Sequence, residues 1–216
     1  MAYRRTPAVQ ARLDAQREAV LQAAVELLAE RGYGGCSVAA VASRAGIATG
    51  SVYQHFAGKS ELAVALFRTV VGREVAAVGE AVAAAAARGE GPHGRVAAVV
   101  ETFAARALKA PRLAYALLVE PADAVVDAER LVFRRAFRDL FAEQIRAAVA
   151  TGRLPRQDAE LTAAALVGAV GEALVGPLAA GSGPDDVIPA LVSFALRALG
   201  GRAGGEDPLD PAPRIP

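Results

Sequence analysis

The chain has no tryptophan, one cysteine, one methionine and two histidines. The single Cys36 excludes an internal disulfide, and a reducing compartment is the simple reading. With only His55 and His93 beside one thiol, no ligand spacing for a structural or catalytic metal exists, so no metal site is expected. Of 24 basic residues only Lys59 and Lys109 are lysine, which leaves 22 arginines. Arginine bias with heavy alanine use reads as a GC-rich coding genome and says little of function. Aromatics are 5% of the chain against 54% hydrophobic residues, so the core must be built mainly from Ala, Val and Leu. Strict alternation of apolar and polar residues is missing, and no strand is expected. Also missing are a glycine-rich phosphate loop, paired carboxylates on an apolar background and any oriented Ser/His/Asp set. No enzyme activity and no cofactor are therefore expected. The opening "MAYRRTPAVQ" lacks the apolar core of a signal peptide, so a cytoplasmic protein is expected. One apolar run, "LTAAALVGAVGEALVGPLAAG" at 161–181, has nearly spanning length, but Glu172 interrupts it and Ala and Gly supply much of its character. It reads as a buried helix of a soluble interface, not as a membrane span.

Net charge is +1 over 216 residues. Residues 1–60 carry seven basic and four acidic side chains, net +3, whereas 61–216 carry 17 and 19, net −2. The small basic excess sits where a phosphate-contacting quarter would need it.

Helix punctuation organises the rest. Thr6-Pro7 reads as an N-cap with proline at the first helical position, opening a helix that Gly32 stops near Arg31. Ser37 caps a short second helix, "VAAVASRA", which Gly46 ends. A third short helix is expected from about Thr49 to Phe56, and "AGKSEL" opens a long fourth one to about Arg88. Further helices are expected at about 93–109, 111–120, 124–151, 158–180 and 184–200. The proline-rich end, 201–216, reads as a flexible tail. The expected architecture is all-α: a three-helix N-terminal unit, 1–60, and a larger bundle, 61–200.

The second and third helices, joined by a turn at Gly46, form a helix-turn-helix pattern. Val52 and Phe56 lie four apart and share an inward face, which turns Gly50, Ser51, Tyr53 and Gln54 largely outward. Such groups donate to phosphates or read base edges. Gly50 disfavours helix by about 1 kcal/mol relative to alanine, which makes sense where backbone must approach something closely. Gln54 and Ser51 are candidates for base contact. Tyr53, His55 and Lys59 are candidates for phosphate contact, with the free N–H groups opening the fourth helix beside them.

The stretch "REAVLQAAVELLAERGYGGCSVAAVASRAGIATGSVYQHFAGKSEL", 17–62, resembles the DNA-binding domain of the tetracycline-repressor (TetR) family. Its most specific parts are "AERGY", "SVAAVASRAG" and "TGSVYQHFAGKSEL". Ala48 departs from the family's usual serine, and Cys36 from its frequent threonine. The resemblance implies DNA contact from Ser37, Arg44, Thr49, Gly50, Ser51, Tyr53, Gln54, His55 and Lys59. Arg4 and Arg5 are either a minor-groove arm or a loose basic end. It also implies a bundle that binds a small effector and pairs with a second copy of the chain.

The bundle carries signs of both. Phe133, Phe137, Leu140, Phe141 and Ile145 form one stripe on the seventh helix, with Phe67 and Phe103 on helices expected to face it. Core packing is the default explanation of such a stripe. An effector cavity is the sharper one, lined by Phe67, Phe103, Arg106, Tyr115, Phe133 and Phe137, with Glu120 a further polar candidate. On the eighth helix Ala165, Ala169 and Ala173 repeat every four residues, with Gly168 and Gly171 alongside. These, with Leu191 and Phe194 on the ninth, are the expected homodimer contacts. The resulting expectation is a cytoplasmic, homodimeric repressor that leaves operator DNA when a small hydrophobic or aromatic effector binds. The competing reading is a helical carrier or enzyme whose N-terminal helices only pack. Residues 49–59 discriminate, since a carrier has no use for outward Ser, Tyr, Gln and Lys beside Gly50.

Overall fold

The computed structural model describes residues 6–181 and 186–200. Arg4, Arg5 and the 201–216 segment lie outside the described residues. Among those described there are nine α-helices and no strand: α1 Pro7–Arg31, α2 Val38–Arg44, α3 Thr49–Val52, α4 Lys59–Ala87, α5 Pro92–Lys109, α6 Pro111–Leu118, α7 Ala124–Ala150, α8 Ala159–Ala180 and α9 Val187–Ala198. A 3-10 turn, Tyr33–Gly35, joins α1 to α2.

Local chemistry sets the ends. The Thr6 hydroxyl accepts from the Val9 N–H, Ser37 from Ala40, and Asp158 from Glu160 and Leu161. Each satisfies donors that the first helical turn leaves without partners. The turn between α2 and α3 closes as the Ile47 N–H donates to Ala42 O at 3.0 Å. That closure needs a positive φ at Gly46, +68°, a region that suits glycine. At α4, Gly58 has no side chain to offer as a cap, and Glu61 reaches back instead to accept from the Ala57 N–H.

Helix α3 is shorter than expected, Thr49–Val52 instead of reaching Phe56. Its N-cap, Ala48, offers no side-chain bond. Beyond Val52 the chain tightens, with Gln54 and His55 donating three residues back, to Ser51 O and Val52 O. An uncapped single turn containing glycine has too little intrinsic preference to continue.

Two hydrophobic clusters and a small bridge between them make the core. The first gathers Val20, Leu21, Ala24, Leu27 and Leu28 of α1, Val38, Val41 and Ala42 of α2, Val52, Phe56, and Leu62, Leu66 and Val70 of α4. The second joins α4, α5, α7, α8 and α9 around Val78, Val99, Phe141, Ile145, Leu166, Leu174 and Leu199. Ala63, Phe67, Val71 and Val126 sit between. Helix α4 thus runs through all three. None of the first 13 residues of α1 is fully buried.

Helix α8 has three faces. Ala163, Leu166, Val170, Leu174 and Leu178 point inward. Val167, Gly168, Gly171, Glu172 and Val175 line a cavity. Ala165, Ala173 and Gly176 are exposed and Ala169 is half-buried on the remaining side. Length and composition alone would let α8 cross a membrane, yet only 28% of its most apolar window is buried in the single chain. The rest of that helix is half-buried or exposed in the single chain. Gly168, expected beside the alanine row, is exposed and also lines the cavity, about 60° from Ala165 and about 100° from Ala169 around the helix. Leu191, expected at a subunit interface, is a core residue only 6% exposed. It shares an inward row with Ala195 and Leu199, whereas Phe194 stands on another face, 41% exposed.

Candidate functional site

Thr49, Gly50, Tyr53 and Gln54 form an exposed ridge at the end of the α2–α3 pair, with Ser51 half-buried. Val52 and Phe56, 1% and 2% exposed, pin the segment from beneath. Tyr53 is 54% exposed. Gly50 has no positive φ, and a Cβ built there meets nothing within 4 Å. Neither backbone geometry nor internal packing therefore requires glycine at this position. His55 is half-buried, its Nε2 3.1 Å from Gln16 Oε1 on α1. Lys59, at the first position of α4, holds its ammonium 5.2 Å from the centroid of the Tyr33 ring. Ser37 is engaged as the cap of α2. The Arg44 guanidinium is held on α1 by both Glu30 oxygens, at 2.8 and 2.6 Å, and by Glu26 at 3.4 Å. The same hydrogen bonds hold the Glu30 carboxyl below the usual carboxylate range. Thr49, Gly50, Ser51, Tyr53 and Gln54 are brought together, whereas Ser37 and Arg44 are tied into the scaffold.

Behind this unit the 3-10 turn is firmly held. The Tyr33 hydroxyl donates to Asp123 at 2.9 Å, and burial together with that bond pushes its pKa up to about 12. The buried Cys36 thiol donates to the carbonyls of Ala24 and Gly32, and burial, with the Glu120 charge second, pushes its pKa up to about 11. At pH 8 such a thiol is almost entirely protonated. Native Cys36 should react with Ellman's reagent at least about 100-fold more slowly than in the urea-unfolded chain. Comparable rates in the two states would mean that this corner opens freely.

The bundle encloses a cavity of about 440 Å³, within the usual range for small-molecule sites. Phe67, Phe103, Phe133, Phe137 and Arg106 line it as expected from the sequence. The rings meet in two pairs, Phe67 with Phe133 at 5.3 Å and Phe103 with Phe137 at 5.0 Å. Tyr115 is not part of the lining. The wall contributed by α6 is the row Leu113, Ala114, Leu117 and Leu118, and position 115 falls off that i, i+1, i+4, i+5 stripe. Tyr115 packs instead, partly buried, on the bundle core. Glu120 is also elsewhere, its carboxylate turned to the 3-10 turn. The polar groups that the sequence did not single out are Glu74, Arg130, Arg134 and Glu172. Glu74 binds the Arg106 guanidinium, with Arg106 Nη2 donating to Oε1 at 2.9 Å. Arg130 lies one turn before Phe133 and two before Phe137 on the same stripe, and extending that stripe back would have found it. Near the cavity, Arg68 grips the buried Glu129 through two bonds of 2.9 and 2.6 Å, joining α4 to α7 and holding the Glu129 carboxyl below its ordinary range.

Residues 20–66 match the family model described as bacterial regulatory proteins, tetR family. The chain superposes on a TetR-like transcriptional regulator from Rhodococcus sp. RHA1, with 28% identity, a TM-score of 0.61, and coverage of 92% of this chain and 100% of that one. The chain carries a TetR-family DNA-binding domain at residues 20–66. Its DNA-binding domain is the helix-turn-helix unit just described. A relative, the fatty acid metabolism regulator protein of Bacillus subtilis (strain 168), is 37% identical over 54 residues. That match spans 25% of this chain and 28% of the relative's length. The transcriptional regulator FadR from Bacillus subtilis, solved with stearoyl-CoA, shares the fold at a TM-score of 0.72 and 18% identity, over 85% of this chain and 98% of its own.

Proposed function

We propose that this protein is a homodimeric TetR-family repressor that binds a two-fold operator through α3 and releases it when a small hydrophobic effector enters the bundle cavity. On this reading residues 1–60 make the DNA-reading unit, 61–200 the effector and dimer unit, and the protein works in the cytoplasm. The observation that carries the DNA assignment is Gly50. Nothing inside the chain requires its missing side chain, so an outside surface, the DNA backbone or groove floor, is what approaches it. Ser51 and Gln54 would then read base edges, with Tyr53, His55 and Lys59 on flanking phosphates. The aromatic pairs suit an acyl chain or ring as effector, and the fatty-acid regulators among the relatives make a long acyl chain the first ligand to try. Helix α4 is the main lever. It begins at Lys59 and lines the cavity farther along with Phe67, Val70, Val71 and Glu74. An effector shifts this equilibrium only by binding the DNA-free conformation better, with about 5.5 kcal/mol needed for a full swing.

Operator titrations with duplex DNA from the protein's own promoter region, over a salt series, test this. Gly50→Ala should melt no lower than the parent, since alanine is the better helix former, yet lose about 1–3 kcal/mol of operator affinity. Gln54→Ala should relax sequence preference. Lys59→Ala should weaken binding evenly and lower the salt slope by about one. If Gly50→Ala and Gln54→Ala bind like the parent, the 49–54 segment is not the reading element. A parent that shifts no DNA would favour the carrier reading.

A further inference from the structure

Helix α6 is eight residues long and faces two ways. Leu113, Ala116 and Leu117 pack against the core of the DNA-binding unit. Ala114 and Leu118, with Leu113 and Leu117 at the edge, form cavity wall. Both ends of α6 are fastened to the end of α1 or the turn that follows it. At the start, Arg112 Nη1 donates to Glu30 O at 2.7 Å. Just past the far end, the Glu120 carboxylate accepts from the Tyr33 N–H at 2.9 Å and the Gly34 N–H at 3.3 Å. It sits so close to Gly32 that a Cβ there would lie 2.5 Å from Glu120 Oε2.

Arg130 stands behind that contact. Its Nε donates to Leu117 O at 2.9 Å and its Nη2 to Ala116 O at 3.0 Å and to Glu120 O. Leu117 O and Ala116 O are carbonyls that the end of α6 leaves without helical partners, and Glu120 O lies just beyond it. The same side chain is part of the cavity wall. One face of the Arg130 side chain thus meets whatever fills the cavity, while its donors fix the backbone from which Glu120 reaches the turn between α1 and α2.

We propose that Arg130 and Glu120 form a second connection between cavity and DNA-binding helices, separate from α4. Displacing the guanidinium releases the end of α6, draws Glu120 off the Tyr33 and Gly34 amides, and frees the turn that positions α2 and α3. The inference rests on the reading of the cavity as the regulatory site. Arg130 is a positioning residue here.

Hydrogen exchange of the Tyr33 and Gly34 amides in the full chain tests the connection without DNA or effector. Gly171→Leu places a side chain into the cavity from α8, where a Cβ meets nothing within 4 Å. It should speed exchange at both amides about tenfold relative to Val99 in α5. Arg130→Lys, which keeps the charge but not the fork of donors, should do the same alone. The two substitutions together should add nothing further. Gly168→Val enters from the same wall and replaces Gly171→Leu should that variant not fold. The proposal is overturned if either single substitution leaves the two amides at the parent's rate, or if the two effects multiply. Operator titration of the same variants separates this from the functional reading. Loss of all DNA binding in the parent removes the repressor, while the exchange result still decides the clasp.

Discussion

Arginine at position 169 is expected to leave the protein monomeric in sedimentation at micromolar concentration and to abolish tight operator binding. Ala169 lies midway along the outer face of α8, in line with Ala165 and Ala173 and beside Gly176, where small side chains let a second helix come close. A two-fold interface presents the substituted residue from both copies. A charge forced into such a contact without a partner costs about 3–5 kcal/mol, which weakens association by two to three orders of magnitude or more. Operator affinity falls with it, because half-sites about 34–36 Å apart need two linked recognition elements. Gly168→Arg is the control. Position 168 faces the cavity, so this variant should obstruct the cavity and leave the dimer standing. Should both variants dissociate alike, the separation of faces on α8 is wrong, and a parent that sediments as a monomer removes the dimer altogether.

Phe56→Ala should unfold the N-terminal unit under conditions where the bundle survives. Phe56 is 2% exposed in the first hydrophobic cluster, and the Arg17 guanidinium sits 5.1 Å from its ring centroid. Truncating a buried phenylalanine costs about 3–5 kcal/mol, a large fraction of the 5–15 kcal/mol typical of whole proteins. The effect is concentrated because Phe56 and Val52 are the buried anchors of the segment containing α3. Urea unfolding followed by circular dichroism should show an early transition absent from the parent, and DNA binding should disappear before it. A midpoint shift worth less than about 1 kcal/mol would show that Phe56 is not the anchor.

Most helix ends were legible because each end carries its own chemistry. Thr6-Pro7, Ser37 and Gly46 announce α1 and α2 within a residue or so. The misjudged end, that of α3, is where those signals fail: Ala48 gives no cap and Gly50 lowers the preference for helix. The aromatic half of the cavity was legible from one stripe on α7. Its ion pairs were not, since Glu74 and Arg106 lie 32 residues apart on different helices and nothing local connects them. The Glu120 contact with Tyr33 spans 87 residues and was hidden for the same reason. Leu191 was misplaced because α9 is apolar on more than one face, so composition alone does not say which row turns inward. Tyr115 was misplaced by attending to its polar tip and not to the phase of α6.

The single turn of α3 has a consequence for how such a protein changes over evolutionary time. Thr49, Gly50, Tyr53 and Gln54 are exposed and lie outside the hydrophobic clusters. The scaffold beneath them is held by Val52, Phe56 and the ion pairs of Arg44. Substitutions along the ridge should therefore leave folding almost untouched, and on the proposed reading a lineage is free to drift from one target sequence to another without passing through an unstable intermediate. In the cavity wall the opposite holds. There Phe141 belongs to the bundle core as well as to the lining, so a new ligand preference must evolve inside the constraints of packing, and it should diversify more slowly than the choice of DNA.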